Sequence, residues 1–223
     1  MSISLVDHAT EFADSLTAQP TLDTGDLMIC QAYRDAVSGA PTKPSGWVNL
    51  YTVNVSTGSY MVAYKYAQSS SDTFGTWTNA SHLTATVWRG AANTIVFPND
   101  KIIGGAVFTT MNWGAQTAGT LAENAEDIAL FAYGVNRNTT NNLAQTLGAL
   151  TNLFDESNGS TFQACAKYQL ARSTAWASTS IALATSSLYR TVMLILIEQS
   201  VYGIGGGGGG LILPRTFEGG YSA

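Results

Sequence analysis

One nine-residue pattern occurs twice in the chain, and a chain that repeats itself at this distance is constrained to two similar halves. Ser59-Tyr-Met-Val-Ala-Tyr-Lys-Tyr-Ala67 is answered about a hundred residues on by Thr161-Phe-Gln-Ala-Cys-Ala-Lys-Tyr-Gln169. An aromatic residue opens each run (Tyr60, Phe162) and Lys-Tyr closes it at the same spacing (Lys65-Tyr66, Lys167-Tyr168). The flanking segments keep the same order. Gly25-Asp26 leads into an apolar run before the first copy, and Glu126-Asp127 does so before the second. Trp77 follows the first copy and Trp176 the second, and each half ends in an apolar stretch, 83–88 and 192–197. This order predicts that 60–66 and 162–168 occupy equivalent strands of one β architecture, related by an approximate two-fold.

Short runs alternating large apolar and polar residues, such as Trp47-Val-Asn-Leu-Tyr-Thr-Val53, read as half-buried strands. Breakers at Gly39-Ala-Pro41, Pro44-Ser-Gly46 and Thr57-Gly58 separate them. Strands are read at 27–33, 47–53, 60–66, 74–78 and 82–89 in the first half. In the second half they fall at 128–133, 162–168, 176–183 and 189–197, with further strands near 102–103 and 106–110. Residues 93–100, which include Pro98, read as a connection, and 136–142 as a polar loop. In the first 24 residues, Leu5, Ala9, Phe12 and Leu16 fit a helical spacing, but the absence of a helix cap favours short strands at 3–6 and 15–17. Strands at roughly 8–12-residue spacing with turn signals give an antiparallel, jelly-roll-like β-sandwich. The sandwich spans 1–200, with halves at about 20–90 and 121–198, and an extended glycine-rich arm follows at 201–223.

The chain has 223 residues, enough for one all-β domain of the usual 200–250 residues. Only 11% of residues are charged, against about 25% in an average domain, so hydroxyls and amides carry the polar surface. A net charge of −5 with ten Lys and Arg spread thinly leaves no basic stripe for a phosphate backbone, so no nucleic-acid partner is expected. No secretory signal is read at the start, and no apolar run reaches the ~20 residues of a membrane helix. Cys30 and Cys165 fall inside strands and read as buried free thiols.

Material for catalysis is thin. The two histidines are His8 and His82, and no nucleophile elbow, His-x-x-x-His or Cys-x-x-Cys occurs. His82 opens a strand and reads as a solvent-facing edge residue. Carboxylates group at Asp23/Asp26, at Glu123/Glu126/Asp127 and at Asp155/Glu156. The middle group has the oxygen-rich character of a calcium loop, but all three fit ordinary turn and strand-start positions. Gly203-Ile-Gly205 and the glycines after it satisfy a dinucleotide fingerprint only formally, because no further βα units follow. Asn54, Asn79, Asn138 and Asn158 each begin an Asn-x-Ser/Thr triplet, as chance allows in a chain this rich in those residues. Trp47, Trp77, Trp88 and Trp176 read as core, whereas Trp113, beside Gly114, reads as a loop residue and the candidate for stacking on a sugar. No catalytic residue, cofactor or metal site is expected.

Pro20, Gly25-Asp26-Leu27, Pro44-Ser-Gly-Trp47, Tyr64-Lys65 and Trp88-Arg-Gly90, in that order, resemble the jelly-roll structural proteins of tailed bacteriophages. The resemblance covers residues 1 to about 198. It implies a non-enzymatic virion protein that decorates the capsid or forms part of the tail or fibre. Its partners would be copies of itself and other virion proteins. The six glycines at 205–210 are also similar to those of the adhesins at the tips of T-even long tail fibres. That similarity implies an alternative, a receptor-binding adhesin or carbohydrate-binding module facing a host-surface glycan. After the glycines come Leu211, Ile212, Leu213, Pro214, Phe217 and Tyr221, apolar anchors suited to docking on a neighbour by strand addition. Pro214 confines such pairing to an edge or bulge.

Overall fold

The computed structural model describes residues 2–35, 39–54, 58–98, 108–113, 116–117, 128–145, 147–171, 175–176 and 178–198. The arm and Glu123, Glu126 and Asp127 lie outside them. Among the described residues fourteen strands follow one another: β1 (Ser4–Glu11), β2 (Leu27–Arg34), β3 (Val48–Val53), β4 (Ser59–Tyr66), β5 (His82–Arg89), β6 (Ala91–Pro98), β7 (Phe108–Trp113), β8 (Gln116–Thr117), β9 (Ile128–Asn136), β10 (Thr151–Ser157), β11 (Gln163–Ala171), β12 (Ala175–Trp176), β13 (Thr179–Ser187) and β14 (Tyr189–Glu198). No helix occurs among the described residues.

The fold is an all-β, antiparallel sandwich of two similar halves. One sheet has the order β1-β5-β2-β4-β3 and the other β10-β11-β9-β14-β6. Reading the second backwards pairs β1 with β6, β5 with β14, β2 with β9, β4 with β11 and β3 with β10. Each half builds one whole sheet, and the two orders are identical. The two copies of the repeated pattern are β4 and β11, both one strand in from an edge. Each edge strand beside them carries a bulge, between Asn49 and Tyr51 in β3 and between Asn152 and Phe154 in β10.

The sheets stack through one apolar layer. Leu27, Ile29, Tyr33, Tyr60, Val62, Tyr64 and Trp88 come from the first sheet, and Phe131, Tyr133, Val135, Ala164, Ala166, Val192 and Leu194 from the second. Trp88 meets Phe131 and Tyr168 edge-on, with ring centroids 6.0 and 6.1 Å away. At the other end of β5, the His82 ring lies 6.1 Å from Phe162 and 6.2 Å from Phe154. Strand β5 thus runs over β11 in the same direction. Weaker contacts put β3 over β6. A half-turn about an axis parallel to β2 and β9 exchanges one sheet for the other, strand for strand.

Both sheets are covered on their outer faces as well. The first is covered by residues 12–26 and 67–81, which bring Leu16, Leu22, Phe74 and Trp77, together with Trp47, onto Met28, Cys30, Ala63 and Val87. Trp77 N donates to Asp14 O at 2.7 Å and Phe74 N to Gln19 Oε1 at 2.9 Å, which ties the two covers together. In the second half the corresponding connections fold as the pair β7–β13, which lays Met111, Trp113, Ile181 and Leu183 on Leu130, Ala132 and Met193. With both faces covered, β2 and β5 are buried at every position but the last.

Several expected boundaries move. Of the expected connection 93–100, residues 93–98 belong instead to strand β6 and 99–100 lie outside the described residues; Pro98 ends the ladder with β14 on an edge strand, a place that tolerates proline. Residues 4–11 form one strand, β1, and 15–17 form bends, so each sheet gains a fifth strand at its edge. Residues 74–78 are irregular apart from a bridge between Thr42 and Thr78. Strand β9 continues through Gly134 to Asn136, so the polar loop begins after that residue.

Gly134 explains that last difference. A Cβ there would overlap Met111 Cε and lie 2.7 Å from Trp113 Cζ2, so the β7 cover packs directly on bare backbone. Gly134→Ala is expected to lower unfolding stability by about 1–3 kcal/mol, the usual cost of overpacking a filled core. Denaturant unfolding with an unchanged slope would check this, and an unaffected midpoint would show that the cover does not sit on Gly134.

Candidate functional site

Asp23 and Asp26, singled out in the sequence, are held in a structural ion pair. Asp26 is 3% exposed at the entrance to β2. Arg89, at the end of the neighbouring β5, donates Nε to Asp26 Oδ1 at 3.0 Å, and its NH2 group to Asp26 Oδ2 at 2.9 Å and Asp23 Oδ2 at 2.6 Å. Asp26 first and then Asp23 raise the guanidinium's pKa. The turn is closed by Gly25 N on Ala67 O and Ala67 N on Asp26 O. This carboxylate pair is a clasp for three strands. Lys65 pairs with Asp72 at 2.9 Å, and Arg137 lies 3.3 Å from Asp35, joining the ends of β9 and β2 across the sandwich.

His82 overturns its expected place. It is fully buried between the sheets, not on a solvent-facing edge. Along β5, His82, Thr84, Thr86 and Trp88 face the other sheet, while Leu83, Ala85 and Val87 face the outer cover. The strand's polar face is therefore an interior face. One ring nitrogen of His82 lies 2.8 Å from Thr10 Oγ1 and the other 3.2 Å from Tyr133 Oη. Burial lowers its pKa to about 3, so at neutral pH it is an uncharged link between the halves.

Trp113 likewise departs from the sequence reading. It ends strand β7, is 1% exposed, and donates its indole N–H to Tyr133 O at 3.1 Å. With its side chain buried in the core, Trp113 has no ring face open for stacking on a sugar. Trp47, Trp77 and Trp88 are buried as expected, and the side chain of Trp176 lies outside the described residues. Cys30 and Cys165 are buried and free. Burial pushes both thiols up, Cys165 to about 12. Asn158 Oδ1 accepts the N–H groups of Ser160, Thr161 and Phe162, which shapes the turn into β11.

A third group was visible in the sequence only as part of the repeat. Lys167 is 1% exposed on the outer face of β11. Its Nζ donates to Asn152 Oδ1 at 2.6 Å, and Asn152 Nδ2 donates to Asp155 Oδ1 at 3.5 Å. Burial lowers the amine's pKa, while Cys165 and Asp155 act the other way. Strand β10 positions the set: Asn152 pairs directly with Lys167, and the bulge at Leu153 turns Asp155 to the same face. Among the described residues, no three His, Cys, Asp or Glu are grouped to hold a metal.

Fold and geometry together define a duplicated two-sheet β-sandwich whose polar side chains mainly join its own elements. No family model, curated protein or solved structure matches the chain.

The burial of His82 has a measurable consequence. Its folded pKa lies below its unfolded value, so the unfolded chain binds the extra proton and the linkage destabilises the fold as pH falls from about 6.5 toward 3. Within that window the wild type should lose stability about 1.4 kcal/mol per pH unit faster than His82→Gln. Parallel pH profiles for the two proteins would place His82 in solvent instead.

Proposed function

We propose that the chain is a non-enzymatic structural protein of a phage virion, working through protein–protein contacts on the capsid or in the tail. One observation carries the reading: the motifs behind the resemblance to phage jelly-roll proteins come together as framework. Gly25-Asp26 and Trp88-Arg89-Gly90 meet in the Asp26–Arg89 clasp. Pro44 lies against Gly75, and Trp47 packs on Phe74 and Trp77 with ring centroids 5.3 and 5.2 Å away. Lys65 of Tyr64-Lys65 is the partner of Asp72. Motifs that specify architecture and not a reaction suit a protein whose work is to be assembled. The low charge of the chain points the same way, because hydroxyl and amide surfaces pack against other copies without burying ions.

On this reading the arm at 205–223 makes the assembly contact. Leu211, Ile212, Leu213, Phe217 and Tyr221 are apolar anchors, and burying a Leu, Ile or Phe side chain contributes about 1.5–3 kcal/mol. The direct test is mass spectrometry of purified virions, which should find this chain in a fixed, symmetry-related copy number. A chain lacking 205–223 should keep the wild-type circular dichroism and unfolding midpoint but enter the particle at least tenfold less. Absence of the chain from virions contradicts the assignment, and full incorporation of the truncated chain contradicts the role of the arm.

A further inference from the structure

We propose that Lys167 and Asn152 join through an intramolecular amide bond, with Asp155 relaying the proton, so that edge strand β10 is covalently stapled to β11. Three observations converge on it. The amine and the carboxamide are cross-strand partners already in contact at 2.6 Å. Lys167 is 1% exposed, and its amine is hydrogen-bonded to a neutral carboxamide on an edge strand where Asn152 and Asp155 are themselves exposed. The carboxylate that would move the proton is bonded to the nitrogen that would leave.

The first half is an internal control. Its edge strand has the same bulge beside an asparagine, Asn49, but the ladder is shifted by two residues, so that Lys65, the counterpart of Lys167, is not opposite it. Opposite Asn49 is Ala63, and Thr52 holds the place of Asp155, its hydroxyl donating to Asn49 Oδ1 at 2.9 Å. The first half keeps the lysine of the pattern, Lys65, but sets it against Asp72, away from the asparagine. The second half has a lysine and an acid on the two sides of one asparagine.

The step balances without an oxidant or other co-reactant. The uncharged Lys167 Nζ attacks Asn152 Cγ after the carboxamide turns about its last torsion, and a C–N bond forms. The Asp155 carboxylate takes a proton from the attacking nitrogen and delivers it to Nδ2. The Cγ–Nδ2 bond then breaks, and one ammonia leaves. Burial lowers the amine's pKa and so enlarges its uncharged fraction, and the reaction should quicken as pH rises.

The test is the intact mass of the purified full-length chain, followed by peptide mapping. The proposal expects a deficit of one ammonia, a branched peptide joining Asn152 to Lys167, and no tryptic cleavage after Lys167. Asn152→Ala and Lys167→Met should retain the full sequence mass. Asp155→Ala should keep the wild-type circular dichroism and form the link roughly a hundredfold more slowly. The wild-type measurement decides the matter even if a variant fails to fold. A full sequence mass after prolonged alkaline incubation overturns the proposal. So does a deficit that maps to Asn158-Gly159, since cyclisation at that pair loses ammonia too.

Discussion

The structure depends on the apolar layer between two sheets that are each other's copy. Trp88, Phe131, Tyr168 and Phe162 fill it from both sides, with edge-on ring contacts that favour one stacking over many. Because each half closes its own sheet, the layer is the main place where the halves meet, and its loss would leave two sheets with bare inner faces. The same duplication sets a second demand. A sheet with one face on its twin still has another, and here the long connections supply the cover. In the first half they do so as tied bends around Trp77, and in the second as the β7–β13 pair around Trp113. One topological plan is met by two local solutions.

Much of this was legible in the sequence. The Lys-Tyr repeat located β4 and β11, and the apolar runs located β2, β5, β9 and β14. What the sequence hid follows from the double covering. A strand such as His-Leu-Thr-Ala-Thr-Val-Trp-Arg alternates as though one face met water, which put His82 outside. In fact Thr86 accepts the Trp88 indole N–H at 2.9 Å, and His82 spans Thr10 and Tyr133, so polar residues face an interior. Trp113 was misread because Gly114 follows it, whereas the informative glycine was Gly134, far away in the chain. Pro98 disguised an edge strand as a connection, since proline excludes only interior ladder positions. The bulges that equate β3 with β10, and that place Asp155 beside Asn152, have no local signature of their own.

The two halves also show how a repeated scaffold diverges. The framework pairs, Asp26–Arg89 and Lys65–Asp72, belong to the first half and fix its turns. In the second, the lysine of the repeated pattern meets the carboxamide of Asn152 where Lys65 meets the carboxylate of Asp72. Both halves nonetheless bury the two faces of their central strands, β2 and β5 in the first and β9 and β14 in the second.

The central claim is that the halves are mutual covers and form one cooperative unit. Native-state amide exchange on the full-length protein tests it most directly, because it reads the opening free energy strand by strand. The account predicts that the amides of β2 and β9, the central strands of the two sheets, exchange with a common free energy equal to that of global unfolding. If β9 and its neighbours open at a distinctly lower free energy while β2 stays protected, the halves are separate units that happen to touch, and the account is contradicted.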